Sequence, residues 1–193
     1  MRVPADEYRA LPLTAHAVLQ GVPLHDVSAV DLPDGGDRVI ADVLSLLSDS
    51  AVRGGATAVL MGFRQALGRL FGWDRPQPAA ASAFWDRVPA DLRLPAGASD
   101  GGPLHLMYRR ADEALSEVRN STVHAFLCTA LQRRPDGYRL YWAVYVLPVS
   151  WFTPVYMAAI EPFRRFVVYP SLLRRLRKAW IRCYLPPPHG AQN

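Results

Sequence analysis

LHLMYRRADEALSEVRNSTVHAFLCTALQRRPDGYRLYWAVYVL, residues 104–147, is the stretch that decides the fold class. Residues with strand propensity recur in it in four runs separated by turn residues, and Pro135-Asp136-Gly137 is the strongest hairpin signal in the chain. Consecutive strands joined by short turns pair antiparallel. The pattern therefore predicts an antiparallel meander with strands over residues 104–110, 114–119, 122–132 and 138–147.

Upstream of the meander the sequence predicts one strand and two helices. Residues 25–32 are expected to form a short strand, and the turn that follows it leads into a helix over residues 38–48. A second helix is expected to begin at Thr57 and to end at Gly72, because apolar residues recur between them at helical spacing.

Downstream of the meander, residues 155–184 have helical periodicity. Pro162 and Pro170 each remove an N–H and are expected to kink this helix or split it in two. The predicted fold class is therefore α+β, with two shorter helices before the sheet and a long C-terminal helix packed across it. Residues 26–184 are expected to form one domain, preceded by an arm over residues 1–25 and followed by a disordered tail over residues 185–193.

The composition favours a folded protein of a reducing compartment. Half of the 193 residues are apolar, a fifth are charged and the mean hydropathy is near zero. The two cysteines, Cys128 and Cys183, lack the spacing of a disulfide framework or a zinc knuckle. Acidic residues stand where a signal peptide would be apolar, so we expect a cytoplasmic protein. Of the 22 basic residues 21 are arginine, which reflects a GC-rich bacterial genome more often than a function.

Positive charge is concentrated in the C-terminal helix, where seven basic residues accompany a single acid, Glu161. Arginine interrupts every window long enough to span a membrane, so this helix is not expected to cross one. An apolar stripe is predicted to pack on the sheet, with a basic arc on the opposite side of its second half. The stripe consists of Val155, Pro162, Phe166, Tyr169, Leu173, Leu176 and Trp180, and the arc of Arg164, Arg175, Lys178 and Arg182.

Several runs resemble a known family. They are Asp112-Glu113, the NxTVHA run at 120–125, Tyr141 to Val146, the YMxxIxPFRRxxVYP run at 156–170, and Trp180. Between about Leu104 and Trp180 the chain resembles the family called domain of unknown function 2867. The resemblance implies a helix-grip fold, a curved antiparallel sheet wrapped around a long C-terminal helix, similar to lipid-transfer and polyketide-cyclase-like domains. Some members carry a dinucleotide-binding domain, but this chain has no GxGxxG motif.

A helix-grip fold would leave a cavity between the sheet and the C-terminal helix, and such a cavity is the expected ligand site. Around the predicted hairpin, Asn120, His124 and Phe126 share a face with Tyr141 and Tyr145, but the sequence does not decide which face lines the cavity. The residues that we expect to bind the ligand are Asn120, His124, Phe126, Tyr141, Trp142, Tyr145, Met157, Glu161, Arg164 and Arg165.

The leading hypothesis is a non-catalytic module that binds a small apolar or amphipathic molecule. A cyclase or hydratase is the alternative, with His124, Tyr141, Tyr145 or Glu161 as acid–base groups; His124 near a carboxylate would favour it. A third hypothesis places the basic C-terminal helix at a membrane surface. We expect no cofactor, no metal and no nucleic acid, since the five histidines lack ligand spacing and no aromatic residue interleaves with the basic arc. The oligomeric state is left open.

Overall fold

The computed structural model describes residues 2–48, 83–94, 105–119, 123–148, 158, 161–162 and 164–185. The helix predicted to begin at Thr57 and the tail after residue 185 lie outside these residues. Within them the protein is α+β, as the sequence predicts: an antiparallel sheet and a C-terminal helix are its main elements.

Among the described residues one sheet contains five antiparallel strands in the order β1-β5-β4-β3-β2. The strands β2 to β5 form the predicted meander, and β1 returns from the N-terminal side to pair with β5. The strands are β1 (Leu24–Pro33), β2 (His105–Arg109), β3 (Glu113–Arg119), β4 (Val123–Arg134) and β5 (Gly137–Pro148).

The β4–β5 hairpin sets which side chains share a face of the sheet. Arg134 pairs with Gly137, so the loop contains two residues, Pro135 and Asp136. From this turn the register runs through Phe126 opposite Tyr145. His124, Phe126, Tyr141 and Tyr145 therefore share one face, as predicted, and Trp142 lies on the other, because side chains alternate along a strand.

The face that carries Trp142 packs against α3 (Ile40–Ser48) and α4 (Tyr169–Tyr184). Trp180 of α4 is fully buried, stacks edge-on against Tyr138 and donates from Nε1 to the carbonyl oxygen of Pro33 at 2.9 Å. The buried side chains of α4 are Leu172, Leu173, Leu176, Ala179 and Trp180. The C-terminal helix is thus held by an apolar stripe and by a hydrogen bond to the edge strand.

The opposite face is covered by N-terminal residues that lie within the segment expected to form an arm. Two short helices, α1 (Ala5–Arg9) and α2 (Thr14–Val18), pack there with a 3₁₀ turn at Trp85–Arg87. Tyr8 and Ala15 are fully buried. Helices of five residues are too short for apolar periodicity to show, and for that reason the sequence did not indicate them.

A buried carboxylate fixes the N-terminal helices to the sheet. Glu113 of β3 is 1% exposed, and its side chain accepts hydrogen bonds from the backbone N–H groups of Thr14 at 2.9 Å and Ala15 at 3.4 Å. These are N–H groups of the first turn of α2, which have no partner inside a helix. The Glu113 side chain therefore caps the end of the helix that attracts negative charge.

The C-terminal helix differs from its prediction both at Pro170 and in the buried stripe. Pro170 does not kink it, because this residue lies in the first turn of α4, where its missing N–H costs no hydrogen bond. A π-helical turn, Arg164–Val168, precedes α4. Phe166, predicted to belong to the buried stripe, is 70% exposed, since a π-helical turn shifts the helical phase that the spacing assumes. In the described ranges, no helix is long and apolar enough to cross a lipid bilayer.

Replacing Gly137 by Ala should lower the free energy of unfolding by about 3 kcal/mol, because φ is +136° and an added Cβ would lie 2.3 Å from the carbonyl oxygen of Leu32. Gly21 is the matched control. It also has a positive φ, +84°, but no heavy atom lies within 4 Å of an added Cβ, so only backbone strain of about 1 kcal/mol is expected. Urea unfolding followed by circular dichroism measures both. Equal losses of stability in the two variants would show that the contact between the added Cβ and Leu32 does not destabilise the Gly137 variant.

Candidate functional site

The structure separates the predicted site residues into three places. His124, Phe126, Tyr141 and Tyr145 lie on the sheet face under α1 and α2, and Trp142 lies on the α4 face. The Glu161 carboxylate lies 2.9 Å from Nε2 of His25 near the start of β1. Asn120, Met157 and the side chains of Arg164 and Arg165 lie outside the described residues.

His124 forms a buried pair with Glu117. His124 Nε2 lies 2.5 Å from Oε1 of Glu117, and the second oxygen of that carboxylate accepts a hydrogen bond from the indole of Trp85 at 3.1 Å. Both members of the pair are buried. Glu117 was not among the predicted site residues. The signal that could have found it is the β3–β4 register, which pairs Glu117 with Phe126 and so places it diagonally across from His124.

Aromatic rings enclose the Glu117–His124 pair. Phe84 stacks edge-on against His124 at 5.7 Å and against Phe126 at 4.8 Å. The two main clefts among the described residues are not lined by either member of the pair. A carboxylate that holds one imidazole nitrogen orients the ring for proton transfer at the other. In this conformation, the pair joins β3, β4 and the segment that carries Trp85.

Tyr145 belongs to a buried polar cluster rather than to an open site. Its hydroxyl lies 3.4 Å from the hydroxyl of Tyr8 and 3.4 Å from Nδ1 of His16. Burial raises the pKa of Tyr145 to about 12, and it also raises the pKa of Tyr8, which hydrogen-bonds Cys128. These hydroxyls are therefore neutral near pH 7 and act as hydrogen-bonding groups.

Tyr141 is engaged by the same N-terminal residues. Its hydroxyl donates to a carboxylate oxygen of Glu7 at 2.8 Å and accepts a hydrogen bond from Arg134 at 3.2 Å. Burial, and secondly the hydrogen bond to Glu7, raises the pKa of Tyr141. Glu7 also forms an ion pair with Arg139 at 2.9 Å. The candidate residues on this face thus hold α1 and α2 in place.

A cleft lies elsewhere, along the outer edge of β1. It has a volume of about 730 Å³ and is bounded on one side by the residues before and within α1, and on the other by α4. Glu161 is the member of the predicted set that lines it. The apolar lining residues are Val3, Pro4, Ala29, Val30, Tyr169, Pro170 and Leu173.

Basic side chains at the cleft are only partly used by the protein. Arg139 is paired with both Glu7 and Asp31 at 2.9 Å. Arg177 donates from Nε to the carbonyl oxygen of Asp31, and Arg174 donates from Nε to that of Pro170. In each of these last two hydrogen bonds the group used is Nε, and a guanidinium carries four further N–H donors. Arg174 and Arg177 are exposed and can offer those donors to an anion in the cleft.

The part of the chain that the structure describes contains no group of three or more His, Cys, Asp or Glu residues arranged to hold a metal ion. The charged groups that line the cleft are guanidinium groups, which donate hydrogen bonds, and carboxylates, which accept them.

The protein is thus an antiparallel α+β domain with a cleft between its edge strand and its C-terminal helix. The chain belongs to the family described as Protein of unknown function (DUF2867), whose family model matches residues 18–171. No curated protein and no solved structure matches the chain. The match begins further upstream than the resemblance seen in the sequence, because residue 18 is the last residue of α2.

The two cysteines should differ sharply in reactivity. Burial raises the pKa of the Cys128 thiol to about 12, whereas Cys183 is exposed. Because the thiolate is the form that reacts, iodoacetamide near pH 8 should alkylate Cys183 and leave Cys128 unmodified until denaturant is added. Peptide mass spectrometry distinguishes the two sites. Rapid modification of Cys128 in the native protein would mean that the core under α1 opens readily.

Replacing His124 by Ala should lower the free energy of unfolding by about 3 kcal/mol, because the Glu117 carboxylate would remain buried without its closest partner. The matched control is His25→Ala. The side chains of the His25–Glu161 pair are 25% and 32% exposed, more than those of the Glu117–His124 pair, so its loss should cost less, about 1 kcal/mol. Denaturant titration gives the free energy of unfolding of both variants. Comparable losses would show that the Glu117–His124 pair stabilises the fold no more than the His25–Glu161 pair does.

Proposed function

We propose that this protein is a binding module for a small amphipathic molecule that carries an anionic group, held in the cleft between β1 and α4. We further propose that the fold is of the helix-grip type, related to lipid-transfer and polyketide-cyclase-like domains. The order of elements supports this assignment, because an antiparallel meander is followed by a long helix packed on one sheet face.

The cleft is the observation that carries the proposal. Its volume of about 730 Å³ lies in the range typical of small-molecule sites. Val30 from the sheet and Tyr169 and Pro170 from the helix are partly exposed and offer apolar surface from opposite walls. A ligand with an apolar body would therefore gain affinity by removing this surface from water.

Charge at the cleft argues for an acidic rather than a neutral ligand. The acids that line the cleft are Glu7, Asp26, Asp31 and Glu161, and contacts of 2.9 Å join Glu7 and Asp31 to Arg139 and Glu161 to His25. Arg174 and Arg177 keep N–H donors beyond those used in their backbone hydrogen bonds. A carboxylate or sulfonate on the ligand would satisfy these donors in the geometry that arginine favours.

An enzyme remains the second candidate, and the Glu117–His124 pair favours it. A carboxylate within 2.5 Å of His124 is the arrangement that orients an imidazole as a general base. Substrate would have to reach this pair past Phe84, which stacks on the imidazole. The pair lies on the sheet face opposite α4, so the two candidate functions use different residues and can be separated by substitution.

The test uses anilinonaphthalene sulfonate, an apolar ring system with one sulfonate, titrated by fluorescence in the absence of lipid. Octanoate should compete with it and acetate should not, because acetate lacks an apolar body. Arg174→Gln should weaken binding about tenfold, the loss typical of a charge-assisted hydrogen bond. Native mass spectrometry of the purified protein would identify a molecule that co-purifies.

Arg182→Gln is the matched control, because Arg182 is also exposed on α4 but does not line the cleft. Its affinity for the probe should stay within twofold of the unchanged protein. His124→Gln should likewise bind normally, since His124 lies on the other face of the sheet. If Arg174→Gln and Arg182→Gln bind equally well, or if acetate competes as strongly as octanoate, the cleft is not the site.

A further inference from the structure

We propose that the outward side of the C-terminal helix, together with the turn before it, docks on an anionic lipid bilayer. This docking surface consists of Phe166, Val167, Arg174, Lys178 and Arg182. The proposal goes beyond ligand binding in the cleft. It does not depend on a ligand, because it is argued from the exposure and the charge of these five residues.

Two apolar side chains are exposed side by side at one end of this surface. Phe166 is 70% exposed and Val167 is 41% exposed. The other large hydrophobic residue exposed in the described part of the chain is Val39, which lies far from them in sequence, just before α3. An aromatic and a β-branched side chain that are adjacent and largely exposed are the kind of feature that marks a contact with lipid or another molecule.

The charge of α4 is of one sign. Between Tyr169 and Tyr184 the helix contains four arginines and one lysine and no acidic residue. Arg174, Lys178 and Arg182 are exposed. Because the chain supplies no acidic side chain within the helix to neutralise them, these cations attract an anionic surface, each with a free energy of about 1 kcal/mol when close to it.

The basic residues of the docking surface lie along one side of α4, and the apolar pair precedes them in the π-helical turn at its N-terminal end. Arg174, Lys178 and Arg182 follow one another at intervals of four residues, which brings them to the same face of an α-helix. At 1.5 Å per residue the basic part extends for about 12 Å. Leu172, Leu176 and Ala179 are buried on the sheet, so the helix is anchored by its opposite side and can present this one.

A bilayer fits this surface better than a nucleic acid does. An interfacial helix combines apolar side chains, which enter the acyl boundary, with basic ones, which contact headgroups, and both are present here. Single-stranded nucleic acid would require aromatic rings interleaved with the bases. In the docking surface the aromatic residue is Phe166, which stands at one end and does not alternate with the basic residues. Arg174 belongs to the docking surface and also lines the cleft, so docking would bring the cleft next to the lipid headgroups.

Co-sedimentation of the full chain with vesicles tests the proposal. The protein should bind vesicles of phosphatidylcholine mixed with phosphatidylglycerol, should bind pure phosphatidylcholine much more weakly, and should be released by raised ionic strength. Phe166→Ser should weaken binding about tenfold by removing the apolar contact. Lys178→Gln should weaken it about fivefold by removing one charge.

Each variant has a matched control away from the surface. Val39→Ser also removes an exposed apolar side chain, and Arg109→Gln also removes one exposed positive charge. Both should bind vesicles as the unchanged protein does, and circular dichroism of all four variants verifies that they fold. If Val39→Ser weakens vesicle binding as much as Phe166→Ser, the exposed apolar pair is not the contact with lipid. If Arg109→Gln weakens it as much as Lys178→Gln, the attraction is a property of overall charge. Either result makes the proposal wrong.

Two further results would also overturn the proposal: no binding to the anionic vesicles, or tighter binding to a single-stranded oligonucleotide than to vesicles with the same dependence on Phe166. The probe titration without lipid separates this outcome from that of the cleft. A protein that binds octanoate but not vesicles has a ligand site without the docking surface, and one that binds vesicles but not octanoate has the reverse.

Discussion

The register of the β4–β5 hairpin is the constraint on which the other contacts depend. The two-residue loop and the positive φ of Gly137 set this register from one end, and β1 then pairs with β5 along nearly its whole length. A slip of one residue would move every side chain to the opposite face. Tyr141 and Tyr145 would then meet α4 instead of α1, and the aromatic and hydroxyl contacts on both sides of the sheet would be lost together.

With that register, the polar side chains of one face become internal supports. Glu113 binds the start of α2, Tyr141 binds Glu7 of α1, and Glu117 joins His124 to Trp85. These hydrogen bonds connect the sheet to α1, to α2 and to the segment that carries Trp85. All three precede β2 in the chain. A buried polar group costs free energy unless it has a partner, so these pairs specify where the N-terminal helices can lie.

Sequence periodicity predicted the extended strands to within two residues at each end, because alternation and turn residues are local signals. The same rule gave the shared face of His124 and Tyr145. Three features depend on contacts distant in sequence or on an irregular turn, and these were not predicted: the short helices α1 and α2, the pairing of Glu117 with His124, and the exposure of Phe166. The location of the cleft at the β1 edge depends on where α4 crosses the sheet, which periodicity does not give.

That crossing explains why the open space lies at an edge strand. An edge strand presents unpaired backbone groups and must be covered. Here Val3 donates its N–H to the carbonyl oxygen of Val27, and Arg177 and Trp180 of α4 donate to those of Asp31 and Pro33. Side chains that reach across to a strand hold the helix away from it, whereas a paired strand would lie about 5 Å distant and leave no room. The cleft is therefore a consequence of protecting β1 with a helix, and a ligand within it would complete the same edge.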